Sequence, residues 1–183
     1  MNFKQLVRPV SILISALWLA SSNIVMANDD AQLDEIYQLF LESAPSLDAI
    51  TARYDGSIIH VGQAEAPLIT GRSDFLAQNI APLIGALDAG QFELSGAFLI
   101  TRRVIGQQLA HDVGYYFARI ETPDGEVNEQ VRKFSWVFSR NSGQWVVITD
   151  FDAVPAPLDV IDTIDPVRCI GNIPSLCAVP AAN

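Results

Sequence analysis

Three kinds of side chain in this sequence could move a proton. Only two histidines occur, His60 and His111, and imidazole is the one side chain that changes charge near neutral pH unaided. His60 stands in the β-rich run Ile58-Ile59-His60-Val61, where alternation puts it on the face of Ile58. If that face turns inward, His60 is a titratable group in an apolar pocket, suited to general acid or base work. The plainer reading is a core or rim histidine bonded to backbone. His111 shares the more apolar parity of its run with Leu109, Val113, Tyr115 and Phe117, so it too is a candidate for a cavity wall, with a solvent-facing strand end as the alternative. Asp150 shares parity with Val146 and Ile148, opposite Trp145, Val147 and Phe151. An inward carboxylate needs a partner or a raised pKa, which makes Asp150 the leading acid or base; a salt bridge to Arg103 is its structural alternative. Tyr37, Tyr54 and Tyr115 are the hydrogen-bond donors such a site would draw on.

Other chemistries find no support in the residue pattern. There is no Gly-rich phosphate loop, nucleophile elbow, CxxC pair or HExxH motif, so neither a cofactor nor a metal is expected. Asp159, Asp162 and Asp165 lack the glycine turn and closing glutamate of a calcium loop. Arg102-Arg103 and Arg132-Lys133 are adjacent pairs on strand-like runs, and neighbours on a strand face opposite ways, so neither makes a patch. With 11 basic against 21 acidic residues and a net charge of −10, a surface for nucleic acid or an anionic membrane is disfavoured.

The elements that must position these groups fall into two blocks. Leu33, Ile36, Tyr37, Phe40 and Leu41 recur at helical spacing behind Asp29, Asp30, Asp34 and Glu35, acids suited to a helix N-terminus. Ser46 caps a second, short helix carrying Leu47, Ile50 and Tyr54, which Asp55-Gly56 stops. Gly71-Arg72-Ser73 leads into a third with Phe75, Leu76, Ile80, Leu83, Ile84 and Leu87, ended by Gly90 and kinked or split at Pro82. Beyond Gly90 the period changes to two. Residues 92–105, 109–121, 127–139 and 144–152 read as strands separated by Gly106-Gln107, Pro123-Asp124-Gly125 and Asn141-Ser142-Gly143. Helices followed by such a meander give an α+β fold. From Pro155 onward the chain is rich in proline and acid without periodicity, a tail pinned by Cys169 and Cys177, eight positions apart.

The order of these motifs resembles the nuclear transport factor 2-like superfamily, in its SnoaL-like and ketosteroid-isomerase-like branch. The matching stretches are Leu47-Asp48-Ala49-Ile50 through Tyr54-Asp55, Gly71-Arg72, Ala110-His111-Asp112-Val113-Gly114-Tyr115-Tyr116, Pro123-Asp124-Gly125, Lys133-Phe134, and Gly143-Gln144-Trp145 to Asp150. The resemblance implies a cone-shaped fold, N-terminal helices packed on a curved antiparallel sheet, with a pocket at the open end and dimerisation through the sheet. With the residue reading, the chain is expected to divide into 1–27, a leader, 28–153, the SnoaL-like domain, and 154–183, a Pro-rich tail with a local disulfide. The resemblance also implies that Tyr37 matches the family's first-helix tyrosine and that the position of the isomerase's oxyanion acid falls near Ser135, a pocket-lining candidate. The isomerase's own base would be an acid where this chain has His60, so steroid-type isomerisation by that machinery is not expected.

The leader is read from its own residues. Lys4 and Arg8 precede the apolar run 10–20, and Val25-Met26-Ala27 offers small residues where a signal peptidase cuts. Cleavage after Ala27 would make the protein periplasmic or secreted, free of the membrane once cut, and an oxidising compartment favours a Cys169–Cys177 disulfide. The expected function is an exported pocket domain that binds a small, largely apolar molecule. The alternatives are a cofactor-independent isomerase, dehydratase or cyclase, or a dimeric interaction module with a vestigial cavity. If the interior takes the Ser135 parity, Phe134, Trp136 and Phe138 with Trp145 and Val147 form an outer patch through which a homodimer is expected. Exported protein should begin at Asn28, which intact mass spectrometry of a periplasmic fraction checks; a mass that retains residues 1–27 would contradict the leader.

Overall fold

The computed structural model describes residues 28–42, 45–62 and 68–177; the leader and its cleavage site lie outside them. Residues 28–38 form helix α1, on which Leu33, Ile36 and Tyr37 are fully buried. Helix α2 is Leu47–Ala52, capped by the Ser46 hydroxyl, which accepts from the Ala49 amide. It stops at Arg53, so Tyr54 opens the next strand instead of closing the helix. That strand, β1, is Tyr54–Val61, and β2 is Ile69–Thr70. The third helical stretch is split as its proline predicts. Helix α3 (Arg72–Phe75) passes through a π-turn at Leu76–Ile80 into α4 (Ala81–Asp88), with Pro82 in the first turn of α4. Proline has no N–H to give the preceding turn, and the widened π-turn absorbs that loss.

Strands β3 (Glu93–Ile105), β4 (Leu109–Glu121), β5 (Val127–Asn141) and β6 (Gln144–Ala156) form the meander. The β5–β6 link is a two-residue turn, Ser142-Gly143, with both φ angles positive; that conformation matches the twist of the hairpin and explains the glycine. The sheet order is β2-β1-β6-β5-β4-β3-β7, where β7 is Arg168–Gly171. Two expectations need correction. The sheet is not wholly antiparallel, because β1 runs parallel to β6. Nor is everything after residue 153 a tail: β6 continues to Ala156, Leu158–Thr163 is a 3-10 helix, and β7 pairs antiparallel with β3. Cys169 and Cys177 are joined as a disulfide beside that edge. Among the described residues no helix is long and apolar enough to cross a membrane.

The core lies between the helices and one sheet face. Phe134, Trp136, Phe138, Trp145 and Val147 all point into it and are buried, so the expected outer patch is the core itself. Tyr37 of α1 stacks on Trp136 with ring centroids 4.8 Å apart and an interplanar angle of 7°. Large rings on one parity and serines on the other are sorted by burial: the rings have most apolar area to remove from water. Ser135 therefore faces outward.

Two bulges decide which polar groups join the core. In β3 the register shifts between Ile100 and Arg102, so that Phe98, Ile100 and Arg103 face inward while Arg102 faces out. Arg103 there forks onto Asp112, Nε to Oδ1 at 3.0 Å and Nη2 to Oδ2 at 2.8 Å, and also reaches Asp30 and Asp34 on α1. Asp112 is wholly buried and also accepts a hydrogen bond from the Tyr37 hydroxyl at 2.9 Å. The structural alternative that gave Arg103 to Asp150 is thus replaced by this cluster. Removing the guanidinium while leaving Asp112 in place strands a buried charge. Arg103→Met should cost about 3–5 kcal/mol, and the outward Arg102→Met within about 0.5 kcal/mol. Urea denaturation measures both; equal costs would contradict the bulge-set parity.

Candidate functional site

His60 keeps the face of Ile58 that alternation gives it, and that face is inner. Asp150 also faces inward, but not through the parity it shares with Val146 and Ile148. Trp145 and Val147 are inner, and a register shift between the β5–β6 pairs Val137↔Thr149 and Phe138↔Val147 leaves Ile148 as an extra residue. The bulge returns Asp150 to the inner side. There it is the register partner of His60 on β1 and of Trp136 on β5.

Three neighbouring strands thus present three polar side chains abreast. The Trp136 indole N–H donates to Asp150 Oδ1 at 2.7 Å, and His60 Nδ1 lies 3.6 Å from Asp150 Oδ2. His60 Nδ1 is buried and has no hydrogen-bond partner among the described residues. The His60 ring packs on Phe75, centroids 5.0 Å apart. A Cβ at Gly62 would meet His60 Nε2 at 2.8 Å, so the glycine leaves the imidazole its room. Tyr54, fully buried, has its phenol pushed well above its usual range, by desolvation first and then by the charge of Asp150.

These groups sit on the wall of a cavity of about 260 Å³. Phe40, Leu41, Phe75, Ile80, Leu83, Phe98 and Phe134 supply apolar lining, and His60, Trp136, Asp150, Asp152, Tyr116, Asn79 and Ser95 the polar or mixed part. Asp152 is bound by the Arg132 guanidinium at 3.0 Å and by the Tyr116 hydroxyl at 3.4 Å. Burial raises its carboxyl above the ordinary range, against the lowering effect of Arg132. Desolvation likewise raises the Tyr116 phenol, helped by Asp152, so Tyr116 stays a proton donor. Among the described residues no cluster of three or more His, Cys, Asp or Glu is placed to hold a metal ion.

The candidates therefore divide. His60 and Asp150 come together on the cavity wall, whereas Tyr54 is buried in the core with its ring against Phe75 and does not line the cavity. Tyr37 is fully buried, but its hydroxyl is committed to Asp112 and its ring to the core. His111, Tyr115 and Ser135 lie on the outer sheet face, not in the cavity. There His111 Nε2 and Ser135 Oγ are 2.8 Å apart, and Lys133 stands over the Tyr115 ring. The inner parity of β4 is that of Ala110, Asp112, Gly114 and Tyr116: the strand buries its smaller and charged residues and leaves its apolar row outside. Three site residues escaped the sequence reading, namely Trp136, Tyr116 and Asp152. Once Asp150 is placed inward, Asp152 follows by alternation, and that was the available signal.

No family model matches the chain, and no curated protein matches it in sequence. Solved structures do match in shape. A nuclear transport factor 2-like protein with a cystatin-like fold from Novosphingobium aromaticivorans superposes with a TM-score of 0.57 at 16% identity, over 74% of this chain and 87% of that one. A type 2 hexachlorocyclohexane dehydrochlorinase gives 0.56 at 11% identity, over 74% and 93%. A nuclear transport factor 2-like protein of unknown function from Pseudomonas putida gives 0.53 at 16% identity, over 79% and 94%. The chain has the nuclear transport factor 2-like fold that its motifs imply.

Tyr37, Tyr54 and Tyr116 all have raised phenol pKa values in the folded state, chiefly through burial. The unfolded phenols ionise near about 10, so the folded state holds these protons more tightly, and stability present below that pH is lost as pH rises above it. In an alkaline titration the phenolate absorbance of these three residues should rise together with loss of the far-ultraviolet circular dichroism. Ionisation of all four tyrosines well before unfolding would contradict their burial.

Proposed function

We propose that this chain binds a small, largely apolar molecule in the cavity and that His60, oriented by Asp150, is a general base there for cofactor-independent proton transfer. The observation that carries this is the His60–Asp150 pair on the wall of an aromatic cavity, with His60 Nδ1 turned to Asp150 Oδ2 at 3.6 Å. A vestigial cavity would be filled by its own Phe and Leu side chains; this one has open volume and three inward ionisable groups. The fold is shared with a dehydrochlorinase, a protein named for an elimination.

Each residue has a part in such a step. His60 takes a proton from carbon, and the imidazolium that results is held by Asp150. The Trp136 indole N–H holds the carboxylate beside the ring. Tyr116, whose hydroxyl donates to Asp152 at 3.4 Å, lines the same cavity and would have to turn from that carboxylate to donate to a substrate oxygen. The reaction class is isomerisation, dehydration or elimination, in which one C–H bond breaks and the proton moves to imidazole. Export through the leader, with cleavage after Ala27, is part of this reading. So is a homodimer through the outer sheet face, supported by the cross-strand row Ile59, Thr149, Val137, His111 and Val104, of which Ile59 and Val104 are exposed, with exposed Phe151 beside it.

Deuterium exchange into a panel of small cyclic and aryl ketones, followed by NMR in D2O, tests the base directly. The native chain should accelerate exchange for a member of the panel, and His60→Gln should lower that rate by about 10²–10⁴-fold with the fold intact. Asp150→Asn should lower it less, since it removes the orienting partner and not the base. No acceleration across the panel, or a His60→Gln rate equal to native, would contradict the proposal.

A further inference from the structure

The charges around the cavity are unevenly answered. Asp150 and Asp152 both line it, whereas no lining side chain is lysine or arginine. Arg132 reaches Asp152 from outside the lining set and answers one of the two charges. Asp150 receives one neutral donor, the Trp136 indole, and faces His60. With His60 in its neutral, base-competent form, the wall carries one negative charge that nothing answers, in a setting where apolar lining strengthens electrostatic attraction.

The rings complete the picture. Phe98, Phe134 and Trp136 stand pairwise 5.7 to 5.8 Å apart at angles of 51° to 88°. Three rings at such mutual tilts present faces and edges in different directions around one space, and ring faces attract cations. His60 lines the same space, nine-tenths buried, with Nδ1 3.6 Å from Asp150 Oδ2 and no hydrogen-bond partner among the described residues. The net charge of −10 adds an attraction for cations at long range.

We infer that the cavity selects a small organic cation, an ammonium carried on an apolar body, with Asp150 as the carboxylate that meets its charge. This rests on the reading of the cavity as a ligand site and names the chemical class that the site takes. A carboxylate or phosphate of the same size would face two carboxylates with no free cation. A neutral isostere would gain the apolar contacts alone.

Isothermal titration calorimetry on the folded chain with 2-phenylethylammonium, 2-phenylethanol and phenylacetate separates these cases, because the three share one apolar body and differ in charge. The ammonium should bind about tenfold more tightly than the alcohol, and phenylacetate should not bind measurably. Asp150→Asn should weaken the ammonium by a similar factor and leave the alcohol unchanged. Arg132→Gln, which leaves Asp152 unanswered as well, should strengthen the ammonium. If Asp150→Asn does not fold, the ranking of the three probes on the native chain decides. Alcohol or acid binding as tight as the ammonium overturns cation selection while the cavity remains a ligand site; binding by none of the three overturns both.

Discussion

One transverse row of side chains holds this structure together and makes its site. Arg103 on β3, Asp112 on β4, Trp136 on β5, Asp150 on β6 and His60 on β1 are successive register partners across five strands, all on the inner face. Polar groups side by side in a core must satisfy one another, since each left alone costs about 1–3 kcal/mol. The Arg103 end does so completely: Asp112 takes the guanidinium fork and the Tyr37 hydroxyl, and the same guanidinium ties α1 to the sheet through Asp30 and Asp34. Trp136 gives its one N–H to Asp150, and Tyr37 lies on its ring. Only the His60 end is incomplete, and that is the end that meets the cavity. Structural cement passes into candidate chemistry within one row.

That row exists because two strands miscount. Without the bulge at Thr101, alternation would turn Arg102 inward and Arg103 to solvent. Without the bulge at Ile148, Asp150 would share a face with Val146 and leave the core. A bulge adds one residue to one strand and reverses facing beyond it. The two bulges also add local twist, which suits a sheet that curves around α1.

Much of this was readable from the residues. The 3.6-residue spacing gave the helices, the Ser46 cap marked the start of α2, Pro82 marked the break in its helix, and Pro123-Asp124-Gly125 and Asn141-Ser142-Gly143 marked the hairpins. The inward placement of His60 followed from simple alternation. Asp150 was placed correctly by a parity rule that the Ile148 bulge in fact breaks, because a bulge carries no residue signature that a single sequence displays. The outward reading of Phe134, Trp136 and Phe138 failed because it gave a family position, Ser135, precedence over ring size; burial of apolar area favours the rings inside. His111 and Tyr115 failed for the opposite reason, since β4 buries Asp112 and Tyr116 while its more apolar row faces outward. Strand β7 is four residues long and has no period of its own to detect.

His60 Nδ1 faces Asp150 Oδ2 at 3.6 Å on the cavity wall, and the proposed base needs Asp150 to hold the imidazole in one orientation and one tautomer. Nitrogen-15 NMR of the histidine rings tests it most directly, because a protonated and a bare ring nitrogen differ widely in chemical shift. With neutral His60, the account predicts the proton on Nδ1, facing Asp150, and a shift toward the other tautomer in Asp150→Asn. A native His60 protonated on Nε2 with Nδ1 bare, unchanged by Asp150→Asn, would contradict it.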